Sequence, residues 1–204
     1  MRKLCLTALL VLALPMFTFA TVLTFGPVCS GACSTASMPA GYGGFSWDPN
    51  IYVVSNTDFM GGYGNTYGAP SGGAAFNAFG GSPVMVSSSP FYFNGADFST
   101  WAGGDAYQGY SSTTITIDAY DALSNHIGSV TATLSPTGYN FVTANFANVS
   151  ELVFTNDCGA CAGRWWVMDD FTYNGTTTPE PGTLVLLGSG VLGLAGLIRR
   201  KLSI

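Results

Sequence analysis

From residue 21 to residue 178 the hydrophobic positions alternate with polar ones and never settle into a helical period. The clearest run is Thr113 to Tyr120, where Ile115, Ile117 and Ala119 fall on one face of an extended chain. Ile127 to Leu134 repeats the pattern with Val130, Ala132 and Leu134, and the polar stretch Asp121 to Asn125 between the two has hairpin length. Further strands are expected at Thr21–Phe25, Ile51–Ser55, Ala74–Phe79, Val84–Ser88, Phe91–Phe93, Asn140–Asn145, Leu152–Thr155 and Val167–Tyr173. Glycine, serine and asparagine separate them, and Glu, Lys, Arg and Leu, the good helix formers, are scarce. This pattern predicts an all-β fold, a jelly-roll-like β-sandwich of about ten short strands. The glycine-rich stretch Phe59 to Gly81, with Tyr63, Tyr67, Phe76 and Phe79, reads as a loop followed by a buried strand. A second reading makes it a binding loop whose tyrosines stack on sugar rings.

The two ends of the chain follow different rules. Arg2-Lys3, the apolar Leu4 to Phe17 and Thr18-Phe19-Ala20 have the charge, length and small-residue ending of a secretory signal peptide, residues 1–20. At the other end Pro179-Glu180-Pro181 stiffens the chain just before Gly182 to Ile198, which carries no charge. Arg199-Arg200-Lys201 follows at once. The apolar run is short for a span, which takes roughly 20 residues, and the basic cluster after it orients everything N-terminal to the far side of the membrane. Residues 21–178 then form one ectodomain and residues 179–204 a sorting tail.

The order Pro-Glu-Pro, glycine-punctuated apolar helix and basic terminus resembles the PEP-CTERM sorting signal of Gram-negative bacteria that make exopolysaccharide. That resemblance implies a membrane precursor held by a transmembrane helix and processed near Pro179-Glu180-Pro181 by the protease exosortase. It also implies export from the inner membrane to the cell surface or extracellular matrix. Gly41-Tyr42-Gly43-Gly44-Phe45-Ser46-Trp47, Phe141, Leu152-Val153-Phe154 and Met168-Asp169-Asp170-Phe171 resemble the jelly-roll ectodomains of such proteins, which are similar to carbohydrate-binding modules.

Charge narrows the partners. Arg164 is the only basic residue between 21 and 178, against ten acids, so the ectodomain carries a net charge of −9 with His126 neutral. Phosphate binding needs a basic surface, so nucleic acid is excluded as a partner; neutral glycans such as exopolysaccharide and calcium stay compatible.

Four cysteines follow the signal peptide in two close pairs, Cys29 with Cys33 and Cys158 with Cys161. Their number and spacing suit a four-thiolate zinc site, but export to an oxidising compartment favours disulfides, with local pairing the simplest of three connectivities. Asp169 alternates with Phe171 and Tyr173, so a core-facing Phe171 would turn it inward. A buried carboxylate needs backbone amides, Arg164 or a cation. The jelly-roll resemblance implies a structural Ca²⁺ there, and no cofactor is otherwise required. Asp48, Asp118 and Asp121 read as turn residues.

Trp47, Trp165 and Trp166 are candidate ligand aromatics; adjacent on a strand, Trp165 and Trp166 face opposite ways. No G-x-S-x-G, H-E-x-x-H or P-loop occurs, and the single histidine, His126, sits in an expected hairpin loop. The function expected is that of a non-catalytic structural or glycan-binding surface protein. The alternative is a secreted carbohydrate-active enzyme.

Overall fold

The computed structural model describes residues 20–29, 33–63, 65–78, 84–101, 108–157 and 164–175. The signal peptide, Cys158, Cys161 and the tail from Pro179 to Ile204 lie outside the described residues. In chain order the strands are β1 (Thr21–Leu23), β2 (Thr35–Ser37), β3 (Ser46–Trp47), β4 (Ile51–Ser55) and β5 (Gly73–Asn77). They continue with β6 (Val84–Thr100), β7 (Thr114–Tyr120), β8 (His126–Thr133), β9 (Asn140–Asn156) and β10 (Trp166–Gly175). One short helix, α1 (Asn56–Gly61), follows β4.

The strands hydrogen-bond in the order β2-β4-β5-β10-β6-β9-β7-β8, with β1 added on β10 and β3 on β6. Every pairing between these strands is antiparallel. The expected pairs Val84–Ser88 with Phe91–Phe93, and Asn140–Asn145 with Leu152–Thr155, are each one strand of 17 residues. The polar breaks inside them are bulges rather than turns. The β6–β9 register shifts between Ser87 and Phe91, again before Phe93, and again before Gly95, while Asn145 and Asn148 take positive φ. Such irregularities bend and twist a ladder without ending it.

The bent pair lets one continuous sheet fold over on itself as a β-sandwich. Ile51 and Val53 of β4, Ala75 of β5, and Trp166 and Met168 of β10 come from one side of the strand order. They pack with Ile115, Ile117 and Ala119 of β7 and Leu152 and Phe154 of β9 in a single core. The period-two expectation for Thr113 to Tyr120 holds, because Ile115, Ile117 and Ala119 are fully buried while their neighbours are not.

A second cluster forms on the opposite face of β4, β5 and β10, where Val54, Ala74, Phe76 and Val167 meet Phe59 and Trp101. Here the loop expected for Phe59 to Gly81 is corrected: its start is the end of α1. Ser55 caps that helix, its hydroxyl accepting from the Asp58 N–H at 3.3 Å, and Asp58 sits in the positive first turn. Phe59 then points into the cluster and is fully buried.

Candidate functional site

Among the described residues the most buried acid is Asp169 on β10. Trp166 and Met168 lie in the sandwich core, and so do Phe171 and Tyr173 further along. Regular alternation cannot put both even and odd positions on one face. The register with β6 shifts between Asp169 and Thr172, and Asp170 takes a φ of 47°. The bulge swaps the faces, so Asp169 turns away from Phe171 and stands with Val167 on the other side. The sequence expectation that Asp169 shares the face of Phe171 fails because of that one extra residue.

The carboxylate is fully buried and accepts hydrogen bonds from distant parts of the chain. Oδ2 accepts from the Ser71 N–H at 2.7 Å; Oδ1 accepts from the Ser71 hydroxyl at 2.8 Å and the Phe25 N–H at 3.4 Å. Gly26 donates its N–H to the Ser71 oxygen at 3.2 Å. A Cβ at Gly26 would come within 2.1 Å of the Ser71 carbonyl, so only glycine allows this approach. Arg164, the other partner considered for Asp169, instead donates to the Ser111 carbonyl at 3.2 Å. With three donors on about four acceptor positions, Asp169 has the surroundings of a hydrogen-bonded anchor. Among the described residues no group of three or more His, Cys, Asp or Glu side chains is placed to hold a metal ion.

Two further acids stand beside it. Asp97 is directly opposite Asp169 across the β6–β10 ladder, and Asp170 follows in the bulge. Burial pushes the Asp169 carboxyl up, against hydrogen bonds from Ser71 and from the Asp170 N–H, while the Asp170 charge adds to the rise. Burial, and then the Asp170 charge, also raises Asp97. Asp157 behaves oppositely. Burial pushes it up, but hydrogen bonds from Thr113 and Ser112, with Arg164 nearby, hold it below the usual carboxylate range. It clamps the end of β9 to the start of β7.

The aromatic candidates separate clearly. Trp47 packs edge-on against Phe25, Phe45 and Phe171, and its indole N–H donates to the Tyr42 carbonyl at 2.8 Å. Trp166 is fully buried between Phe98 and Phe154. Trp166 is a core residue, which corrects its reading as a ligand aromatic, since a ring enclosed by other rings offers no face to a sugar; Trp47 is half-buried at the margin of the core. Trp165 points the other way, as alternation requires, and packs against Trp101 at 4.9 Å and Phe76 at 6.4 Å. Outside it lies Tyr110, tilted 33° at 5.9 Å and 49% exposed. Sequence reading missed Tyr110, which lies in no expected strand and no motif. Tyr67 is no stacking platform either, because its hydroxyl is hydrogen-bonded to Ser99 and its ring packs on Phe59 and Tyr139.

Cys29 and Cys33 form a disulfide with Cα atoms 5.3 Å apart, the local pairing expected. It closes only five residues, so it shapes the turn beside Phe25 and removes little chain entropy.

Comparison with protein families gives one match, the PEP-CTERM protein-sorting motif, over residues 177–201. The chain carries a PEP-CTERM sorting signal. The signal implies export, anchorage at the membrane before sorting, and processing by exosortase. Comparison with curated protein sequences finds no match. Among solved structures, a DUF4465 family protein from Bacteroides caccae aligns with a TM-score of 0.50 at 12% identity, over 78% of this chain and 100% of that one. It shares the β-sandwich fold. Looser likenesses run to the tandem CBM22 domains of Paenibacillus barcinonensis Xyn10C (TM-score 0.41, 12% identity, 82% of this chain and 50% of that one). A CBM32 domain from a family 31 glycoside hydrolase of Clostridium perfringens is also similar (TM-score 0.32, 14% identity, 70% and 92%).

Proposed function

We propose that this is a surface or extracellular-matrix protein of a Gram-negative-type bacterium whose sandwich binds a neutral glycan, such as exopolysaccharide, without cleaving it. The observation that carries the reading is the Tyr110–Trp165 pair. Tyr110 is half exposed, and Trp165 holds it against the buried Trp101 and Phe76. A rigid aromatic edge backed by a packed cluster can stack on a sugar ring at little entropic cost. The ectodomain's one basic residue and ten acids suit an uncharged polymer better than an anionic one. Asp169, the most buried carboxylate among the described residues, is spent on Ser71 and Phe25 and has no free acid function, which favours binding over hydrolysis.

In this reading the apolar segment Gly182 to Ile198 holds the precursor in the membrane, and cleavage near Pro179-Glu180-Pro181 frees the mature chain. A glycan array probed with wild type and with Tyr110→Ala tests the binding reading. Wild type is expected to retain a discrete set of glycans that Tyr110→Ala loses by tenfold or more, with no new reducing ends. Glycan release by the wild type would favour the enzyme alternative; identical arrays would remove Tyr110 from the site.

A further inference from the structure

The two ends of the folded sheet are guarded very differently. At one end β2 has three residues and lies two residues beyond the Cys29–Cys33 disulfide. At the other, β8 has eight residues, His126–Thr133, and among the described residues no strand pairs with its outer side. Natural edges of this length are normally blunted by charge, proline or a bulge. From Ile127 to Thr133 there is no charged residue and no proline, and the register with β7 is unbroken until the hairpin end at Tyr120.

The direction of the backbone groups can be read from one bond. Leu134 donates its N–H to the Thr113 carbonyl of the neighbouring strand at 2.9 Å. Groups alternate along an antiparallel strand, so even positions face β7, and Ile127, Ser129, Thr131 and Thr133 turn N–H and C=O outward. The side chains of these four are also exposed, as is that of His126 at the start of the strand.

We propose that β8 is a self-association edge, pairing antiparallel with β8 of a second copy of this chain about a two-fold axis at Val130. That register is the one that uses every outward group. It pairs Ile127 with Thr133 and Ser129 with Thr131 of the other copy, and the reverse, in four hydrogen-bonded pairs of two bonds each. Ile opposite Thr and Val130 opposite Val130 are favourable cross-strand neighbours. The occupant is a second copy because the strand is complementary to itself and neutral. An ectodomain of net charge −9 repels its own kind over most of its surface, and this edge can meet without desolvating a charge. Asp118 lies on β7 opposite Ser129. Across the joined sheet its copy would lie about three strand spacings away, roughly 14 Å and beyond the physiological screening length.

The test is sedimentation of the full chain in detergent at about 10–100 µM, beside Ser129→Pro and Thr131→Lys. Proline is tolerated at an edge position whose N–H faces solvent, so Ser129→Pro removes one outward donor and leaves the β7 ladder intact. Wild type is expected to dimerise with rising concentration, and each variant to weaken the dimer tenfold or more at an unchanged melting temperature. If Ser129→Pro melts early, Thr131→Lys decides the matter, since it adds a charge at the edge and gives up only the solvent-exposed hydroxyl bond to Thr116. A wild type that stays monomeric, or a dimer that survives Thr131→Lys undiminished, overturns the proposal; the second result would place association on another surface. Neither outcome depends on glycan binding.

Discussion

Asp169→Ala is the perturbation whose cost can be worked most directly. The substitution removes the acceptor for the Ser71 N–H, the Ser71 hydroxyl and the Phe25 N–H. Hydrogen bonds to a charged group contribute roughly 1.5–3 kcal/mol each, but burying the carboxylate offsets a large part of that gain. What the variant cannot recover is the pair of backbone N–H groups left without an acceptor, at about 1–3 kcal/mol each. The expected net loss is about 2–4 kcal/mol. For a chain of this size, with about 2–4 °C per kcal/mol, the melting temperature should fall by roughly 5–15 °C. The pH dependence has a definite sign. Burial raises the Asp169 carboxyl above its ordinary range, so the group's contribution is full below about pH 4 and declines as pH rises through its folded value. The wild type's advantage over the alanine variant should therefore be largest in acid. Thermal melts of both proteins across pH 3 to 8, with and without chelator, measure this. Equal melting temperatures for the two proteins would refute the anchor argument. A chelator-induced drop confined to wild type would make Asp169 a calcium ligand instead.

Asp97→Asn should stabilise the protein slightly at pH 7, by at most about 0.5 kcal/mol since the site is partly solvent-screened, and the gain should vanish below about pH 4. The sign follows from the raised folded value, and chemical denaturation at the two pH values checks it. Gly95→Ala should cost about 3 kcal/mol, because Gly95 has a φ of 148° and an added Cβ would lie 2.2 Å from the Val142 carbonyl on the paired strand; a denaturation midpoint equal to wild type would contradict it. Mature protein recovered from its native host should show no free thiol on denaturation and an intact mass lacking Arg199 to Ile204. Reactive thiols without bound zinc would break the disulfide expectation, and a retained tail would break the processing one.

The sequence alone determined what depends on neighbours along the chain. Alternation marks Ile115, Ile117 and Ala119 as one face whatever they pack against, since successive side chains of any strand point to opposite sides. The sorting signal at 177–201 is legible for the same reason, as stiff prolines, an apolar run and a basic end act in linear order. The Cys29–Cys33 bond is also local. The tertiary structure decided everything that depends on two distant segments meeting. Ser89-Pro90 and Phe146 to Ser150 look like turns, yet they become bulges because the β6 and β9 residues on both sides find partners in each other. Trp166 is chemically fit to stack on sugars, but its neighbours in space are Phe98 and Phe154, so it is core. Asp169 needed all three levels. Its burial follows from the strand, its face from a bulge that alternation cannot foresee, and its partners from Ser71 and Phe25, 98 and 144 residues away in the chain.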